Sequence, residues 1–377
     1  MRIAFTFLTY GKNVFGGIEN ALFNLTQGLT ENGHEVGVFT SDTYIKENNP
    51  ALPAKLYISQ YLPGNYDGDV SHLITSLKQN AAKINSDFDM FMGEFKPEVI
   101  VVVDPIWGIL QVTSHVSDMK IPVFMSYHIA NKWSETVEIM RDSFKIPYKG
   151  YFAVSEFLIT DIKSTFQEAR NLNIGVLPNS IDQNLYSNRY DTTENYIFCN
   201  SRIAKGKDVD VLVRAFKTIS DSYDIKLKLC SGKFPFGETS ADIKEIEILI
   251  EQLDLKDKVE LLPLLDWNKI PEITLNAKIV VLPSSYETFG IAALKASVAG
   301  IPLIVADATN FKYLVKDSAL FFEPGNKLEL EERIREMLSN YALYENMAKK
   351  KIANFTKYYN TEVAKRFVYE ISNNNLL

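Results

Sequence analysis

The chain carries only two cysteines, Cys199 and Cys230, in 377 residues. Each lies in an apolar, strand-like run. So few thiols exclude a disulfide framework and a cysteine-rich zinc module, and they read as two buried reduced side chains. Positive charge is also short. The 40 Lys and Arg are outnumbered by 47 Asp and Glu, for a formal net charge of −7. A general nucleic-acid binder is ordinarily basic, so that class is set aside. No apolar run approaches the roughly 20 residues that cross a bilayer. The opening MRIAFTFLTYG has one Arg and an apolar run that breaks at Thr9, so it reads as a first strand and not as a signal peptide. The expectation is a soluble cytoplasmic protein, with peripheral contact at the inner membrane face left open.

Familiar chemistry-bearing motifs are missing too. There is no Walker A loop, no Gly-x-Gly-x-x-Gly and no His-Glu-x-x-His. Three Asp-x-Asp strings occur, at Asp67/Asp69, Asp87/Asp89 and Asp208/Asp210. None follows a strong apolar strand, so none reads as a metal site. Asp208 and Asp210 instead favour a helix start.

What is present is a globular composition, 46% apolar and 23% charged, in a chain long enough for two ordinary domains. Apolar strand-like runs alternate with helical stretches throughout, which predicts parallel α/β layering. The first series of runs is IAFTFLTY, EVGVFTSD, EVIVVVD, PVFMSYH, YFAVS and IGVLPN. Helices are expected over 18–32 and 70–95. A polar stretch, QNLYSNRYDTTEN, then reads as a linker. The second series is YIFCNSR, IKLKLCSG, VELLP, KIVVLPS, PLIVAD and ALFFEP. This predicts two Rossmann-like domains facing across a cleft, residues 1–180 and 181–359, with the segment 360–377 returning to the first. Ligands of such sheets bind outside the carboxyl ends of the strands. The tail from Tyr341 is helical and basic, with Lys349, Lys350, Lys351, Lys357, Lys365 and Arg366. A solvated helix face is the plainer account. Attraction to anionic lipid or an anionic acceptor is the functional one.

The densest information lies in VLPSSYETFGIAALKASVAGIPLIVAD, residues 281–307. It reads as strand, polar loop, helix, Gly-Ile-Pro turn and strand. A helix beginning at Gly290 offers free N–H groups and partial positive charge to an anion. Glu287 beside it cannot bind phosphate, but it can accept hydrogen bonds from sugar hydroxyls. The pair of features points to a nucleotide sugar. Three other constellations join it. Gly16-Gly17 precede the first helix and could let backbone approach a diphosphate. Arg202 and Lys207 sit where a strand meets a helix, with Lys205 a rival in the same loop; two cations there could clamp a leaving diphosphate. His128 ends the strand PVFMSYH, whereas a core His would sit mid-strand. The Leu261–Leu265 run, Leu264 included, could form a nucleobase ledge, and a buried strand explains it equally well.

The segment PSSYETFGIAALKASVAGIPLIV resembles the nucleotide-sugar signature of the GT-B retaining glycosyltransferases of family 4. In that signature one Glu precedes Phe-Gly and a second comes after seven residues. Here Glu287 holds the first position and Lys295 the second. FGGIENALFNL, the Arg202 and Lys207 spacing, His128 and Pro178-Asn179-Ser180-Ile181-Asp182 resemble further family features, with Ser180 where the family has Gly.

The resemblance implies a GT-B α/β fold and metal-free, retaining transfer of a sugar, hexosyl in type, from a nucleotide sugar. No further cofactor is implied, and a UDP-sugar is the first guess for the donor. It assigns Glu287, Arg202, Lys207 and His128 to catalysis. Gly16, Gly17, Leu264, Thr288, Phe289, Gly290 and Lys295 are assigned to nucleotide-sugar binding. The acceptor would be a carbohydrate, a lipid-linked group or a protein. A second reading is a catalytically impaired partner subunit that binds an acceptor or a sister transferase. Its support is Lys295, since an ammonium donates hydrogen bonds but cannot accept them. Nucleotide-sugar epimerisation on the same fold is less favoured, because the carboxylates it needs are not evident.

Overall fold

The computed structural model of the chain describes residues 1–11, 16–42, 52–64, 69–116, 120–187, 194–230, 240–263, 265 and 269–373. Among these, the strands form two parallel sheets. The first holds β1 (Arg2–Thr6), β2 (Glu35–Thr40), β3 (Lys55–Ile58), β4 (Val99–Val103), β5 (Val123–Tyr127), β6 (Gly150–Ala153) and β7 (Ile174–Val176), in the order β3-β2-β1-β4-β5-β6-β7. The second holds β8 (Tyr196–Cys199), β9 (Lys226–Cys230), β10 (Val259–Leu262), β11 (Ile279–Leu282), β12 (Leu303–Ala306) and β13 (Leu320–Phe322), in the order β10-β9-β8-β11-β12-β13. The central strands explain themselves. In β4, VIVVV, every residue is buried, as a parallel strand covered on both faces requires. The same holds for β11, IVVL, and β12, LIVA.

Both sheets are doubly wound, and each reverses its order next to its first strand. The reversal falls between β1 and β4 in one sheet and between β8 and β11 in the other. At such a switch point neighbouring loops diverge and leave a crevice at the carboxyl ends.

The chain divides into two compact units, Met1–Ser180 with Tyr358–Leu377, and Ile181–Lys357. The return of the chain to the first unit has a visible cause. The last helix, Asn360–Asn373, packs on the first, Gly17–Glu31. Gly28 makes this possible, since a Cβ there would stand 2.1 Å from the backbone oxygen of Asn360. Asn32 Nδ2 donates to the carbonyl of Thr361 at 2.9 Å. Phe367, fully buried, sits with its ring 6.1 Å from that of Phe5 and 5.8 Å from that of Phe152. The helix thus fills the core of the first unit.

Three local expectations need correction. The stretch 70–95 is two helices, Val70–Gln79 and Ala81–Phe95, because Asn80 at φ −98° and ψ 6° ends one and starts the other. The apolar spacing runs through the break, so periodicity did not reveal it. β3 was not anticipated: KLYI is an edge strand without a buried residue. Cys199 is buried, but Cys230 is half-buried; burial pushes both thiols up to about 12, and both are free. Of the expected linker, residues 188–193 lie outside the described residues.

Candidate active site

The second unit brings Lys207 and Glu287 together at the β8/β11 switch point. β8 ends at Cys199, and the next loop carries exposed Arg202 and half-buried Lys207 before the helix Val209–Ser220. β11, paired alongside it through Ile279↔Ile197 and Val280↔Phe198, leads into the loop with Glu287. Adjacent strands therefore deliver the two loops side by side. Ser285 N–H donates both to the Gly206 carbonyl and to Asp208 Oδ2, each at 3.1 Å. Asp208 thus sews the two loops together. It lies at the helix start in left-handed backbone, φ 49°, with Asp210 in the first turn, as expected for this pair, although the Asp208 side chain caps no helical N–H.

Across this seam Lys207 Nζ forms an ion pair with Glu287 Oε1, the two side chains 18% and 20% exposed. The same ammonium lies 3.5 Å from the Tyr286 carbonyl. Residues 309 and 310 fix the Glu287 loop from behind. Thr309 Oγ1 accepts from Glu287 N–H at 2.8 Å, and Asn310 Nδ2 donates to the Phe289 carbonyl at 2.7 Å. Neither was expected from the sequence, where Ala-Thr-Asn after a strand carries no distinctive signal. Phe289 is buried and Thr288 half-buried beside it.

Gly290 starts the helix Ile291–Val298 at φ 95° and ψ 52°. This is left-handed backbone that glycine tolerates best. A Cβ there would also come within 2.8 Å of the Phe311 ring. Gly290 is therefore explained by backbone and packing, and access for a ligand is not needed to account for it. Lys295 lies five residues along the helix and is half-buried. Burial pushes its ammonium down to about 8, with the nearby Cys230 acting in the opposite direction. It has no hydrogen-bond or ion-pair partner among the described residues. Leu264 lies outside the described residues. Its neighbours Leu261 and Leu262 belong to β10.

In the first unit Gly16 adopts extended backbone at φ 175°, and its carbonyl accepts from Asn20 N–H at 3.2 Å and from Asn20 Nδ2 at 2.7 Å. A Cβ on Gly16 would meet the Glu19 carboxylate, whereas one on Gly17 would meet nothing within 4 Å. His128 comes directly after β5 and is 9% exposed. Burial pushes its imidazole down to about 4, so the ring is neutral at neutral pH. Its Nε2 lies 3.3 Å from Ser126 Oγ. Ser126, His128, Asn179 and Ser180 line part of a cavity of about 20 Å³, enough for one water. Ser180 is buried, and its Oγ has no partner among the described residues.

A further polar residue was missed. Asp104, at the end of β4, is fully buried with φ 67°. It accepts from Ile106 N–H at 3.1 Å and Asn131 Nδ2 at 2.9 Å, yet burial outweighs these bonds and pushes its carboxyl up to about 6. The sequence signal was the aspartate closing EVIVVVD, which alone does not separate a structural role from a chemical one.

The remaining charged strings have structural partners. Asp87 accepts from Ser59 Oγ at 2.6 Å, Asp89 pairs with His115 at 2.8 Å and Asp210 lies 3.7 Å from Arg214. Asp69 caps the helix Val70–Gln79, and Asp67 lies outside the described residues. In the basic tail Lys349 pairs with Glu345, Lys365 with Glu362 and Arg366 with Glu370. Lys351 donates to the Asp317 carbonyl. No helix among the described residues is long and apolar enough to cross a membrane.

Comparison with known proteins gives the same division. A model described as Glycosyltransferase Family 4 matches residues 15–185, and one described as Glycosyl transferases group 1 matches 181–353. An uncharacterized glycosyltransferase of Methanocaldococcus jannaschii is 24% identical over 98% of this chain and 97% of its own length. Sucrose-phosphate synthase from Thermosynechococcus elongatus has a similar structure, with a TM-score of 0.80 at 18% identity over 99% of this chain and 98% of that one. Anabaena HepE, solved in complex with UDP and glucose, gives 0.75 at 18% identity over 99% of both. The two family models meet at 181–185 and together cover 15–353, on a fold shared along nearly the whole length: the chain belongs to the group 1, family 4 glycosyltransferases with the GT-B fold.

Proposed function

We propose that this glycosyltransferase moves a hexosyl group from a nucleotide sugar, with UDP the first choice of carrier, to an acceptor hydroxyl with retention and without a metal ion. The observation that carries the reading is the meeting of the Arg202–Lys207 loop and the Glu287–Gly290 loop at one switch point. UDP and glucose bound to Anabaena HepE support the choice of carrier. Arg202, Lys207 and the free N–H groups at the start of Ile291–Val298 would neutralise the diphosphate as negative charge grows on it. Glu287 would accept from sugar hydroxyls. The resemblance gives His128 a sugar contact, and a neutral imidazole suits one. The bond from the anomeric carbon to the phosphate oxygen breaks, and the bond to the acceptor oxygen forms on the same face. The leaving phosphate oxygen takes the acceptor proton. Cytoplasmic placement and an acceptor that is a carbohydrate, a lipid-linked group or a protein belong to the same proposal.

Lys295 favours the second reading, a catalytically impaired partner subunit that binds an acceptor or a sister transferase. Calorimetry with UDP, GDP and ADP separates the two. The enzyme reading expects one of them to bind, and no binding at millimolar concentration would leave only the partner subunit.

A further inference from the structure

The ion pair between Lys207 and Glu287 joins two groups that the proposed reaction uses separately. Lys207 is wanted by the diphosphate and Glu287 by the sugar hydroxyls. In the structure each is the other's partner. Their loops are held in register by the Ser285 bonds to Gly206 and Asp208 and by Thr309 behind Glu287, so the pair is a fixed feature of the seam. Both side chains are four-fifths covered, which limits the water available to replace a lost partner.

We propose that this pair makes the site discriminate between an intact nucleotide sugar and its nucleoside diphosphate product. The inference rests on the donor reading above and adds a specificity role for Glu287. A nucleoside diphosphate that draws Lys207 away leaves the Glu287 carboxylate partly buried with no donor. An intact donor brings hydroxyls that replace the ammonium, so both groups stay satisfied. The pair therefore raises the cost of holding product and leaves donor binding nearly untouched. It favours product release and limits inhibition by the free nucleotide.

The test is calorimetry on wild type, Glu287→Gln, Lys207→Met and the double variant. The probe is whichever of UDP, GDP and ADP binds wild type most tightly, together with its glucose conjugate. Glu287→Gln removes the competing charge and keeps the shape. It should tighten nucleoside diphosphate binding about fivefold, and weaken the nucleotide sugar. In the Lys207→Met background the same change should give no tightening, since the competition is then already absent. Equal or weaker product binding by Glu287→Gln overturns the proposal. So does a fivefold gain that persists without Lys207, which would mean simple repulsion between carboxylate and diphosphate. Failure of wild type and every variant to bind any nucleoside diphosphate has a different meaning, because it removes the donor reading itself. Thermal melts of each variant identify a loss caused by misfolding, and Glu287→Asp, which retains the charge, should then restore wild-type preference.

Discussion

The two units treat polar groups in opposite ways. The second sets Arg202, Lys207 and Glu287 in partly open loops, where Lys207 and Glu287 pair across a seam. The first buries Asp104, His128 and Ser180 and shifts the two titratable ones toward their neutral forms. Both sheets have the same switch-point geometry, so topology alone does not set the chemistry. The difference lies in the segments at the carboxyl ends of the strands. Open loops leave ions with water and with each other, whereas tightly covered strand ends remove that solvation. A charged site suits a diphosphate, and a neutral buried one suits a hydroxyl-bearing group. The comparison can be broken at several points.

The largest effect should come from the charged seam. Arg202→Ala or Lys207→Ala should each lower kcat/KM for the nucleotide sugar by about a hundredfold, roughly 3 kcal/mol of transition-state stabilisation. Steady-state kinetics with the donor identified by calorimetry would measure it. Lys205→Ala, in the same loop but exposed, should do far less. Reversal of that ranking would assign the cationic role to Lys205.

In the first unit a packing change should match that size in stability and leave the seam intact. Gly28→Ala forces a Cβ against the Asn360 backbone. It should cost about 1–3 kcal/mol, read from urea unfolding. A loss no larger than that of an exposed helix substitution would mean that the last helix is not closely docked.

Acid should expose the buried neutral groups. His128 holds a folded value of about 4 against an ordinary 6.5, so its contribution is present above 6.5 and lost as pH falls toward 4. Asp104 has the opposite sign. Raised from 3.8 to about 6, it contributes most below 3.8 and loses that contribution as pH rises through 6. Between pH 4 and 6 the two oppose each other. Asp104→Asn should therefore lose stability more steeply than wild type on acidification from 6.5 to 4. Parallel urea midpoints across that range would show that the two environments do not differ from water as described.

Lys295, only half-buried and so partly screened by water, should give the smallest shift. Its folded value of about 8 lies below the usual 10.5, so the unfolded chain binds more protons between those limits and stability rises with pH there. Lys295→Met should flatten that slope, measured against wild type at pH 8 and 10. Lys295→Glu should leave turnover in place and hold or tighten the nucleotide sugar. Loss of donor binding in both variants would make Lys295 a phosphate ligand in its own right.

Much of this was legible in the chain because it is local. Buried parallel strands such as VIVVV and IVVL announce themselves by unbroken β-branched runs, and Gly290 ahead of an apolar helix marks its own start. The Lys207–Glu287 pair and the Asp208–Ser285 bond were not legible. Their members are 80 and 77 positions apart, and nothing in either loop specifies the other until the β8–β11 pairing brings them together. β3 escaped notice because an edge strand without buried residues lacks the alternation that marks the rest. The burial of His128 was hidden as well. A strand end predicts an exposed side chain, whereas this one is buried and lines a small cavity together with Ser126, Asn179 and Ser180.

The docking of Asn360–Asn373 on the first helix also sets an order of events during synthesis. A ribosome makes the chain from the amino end at about 5–20 residues per second. The whole of Ile181–Lys357 is synthesised before Phe367 is added. The unit that begins first is therefore completed last. For about 10–40 s it must wait with the Gly28 face of its first helix and the Phe5 and Phe152 edge of its core exposed to whatever else in the cell binds an uncovered apolar surface.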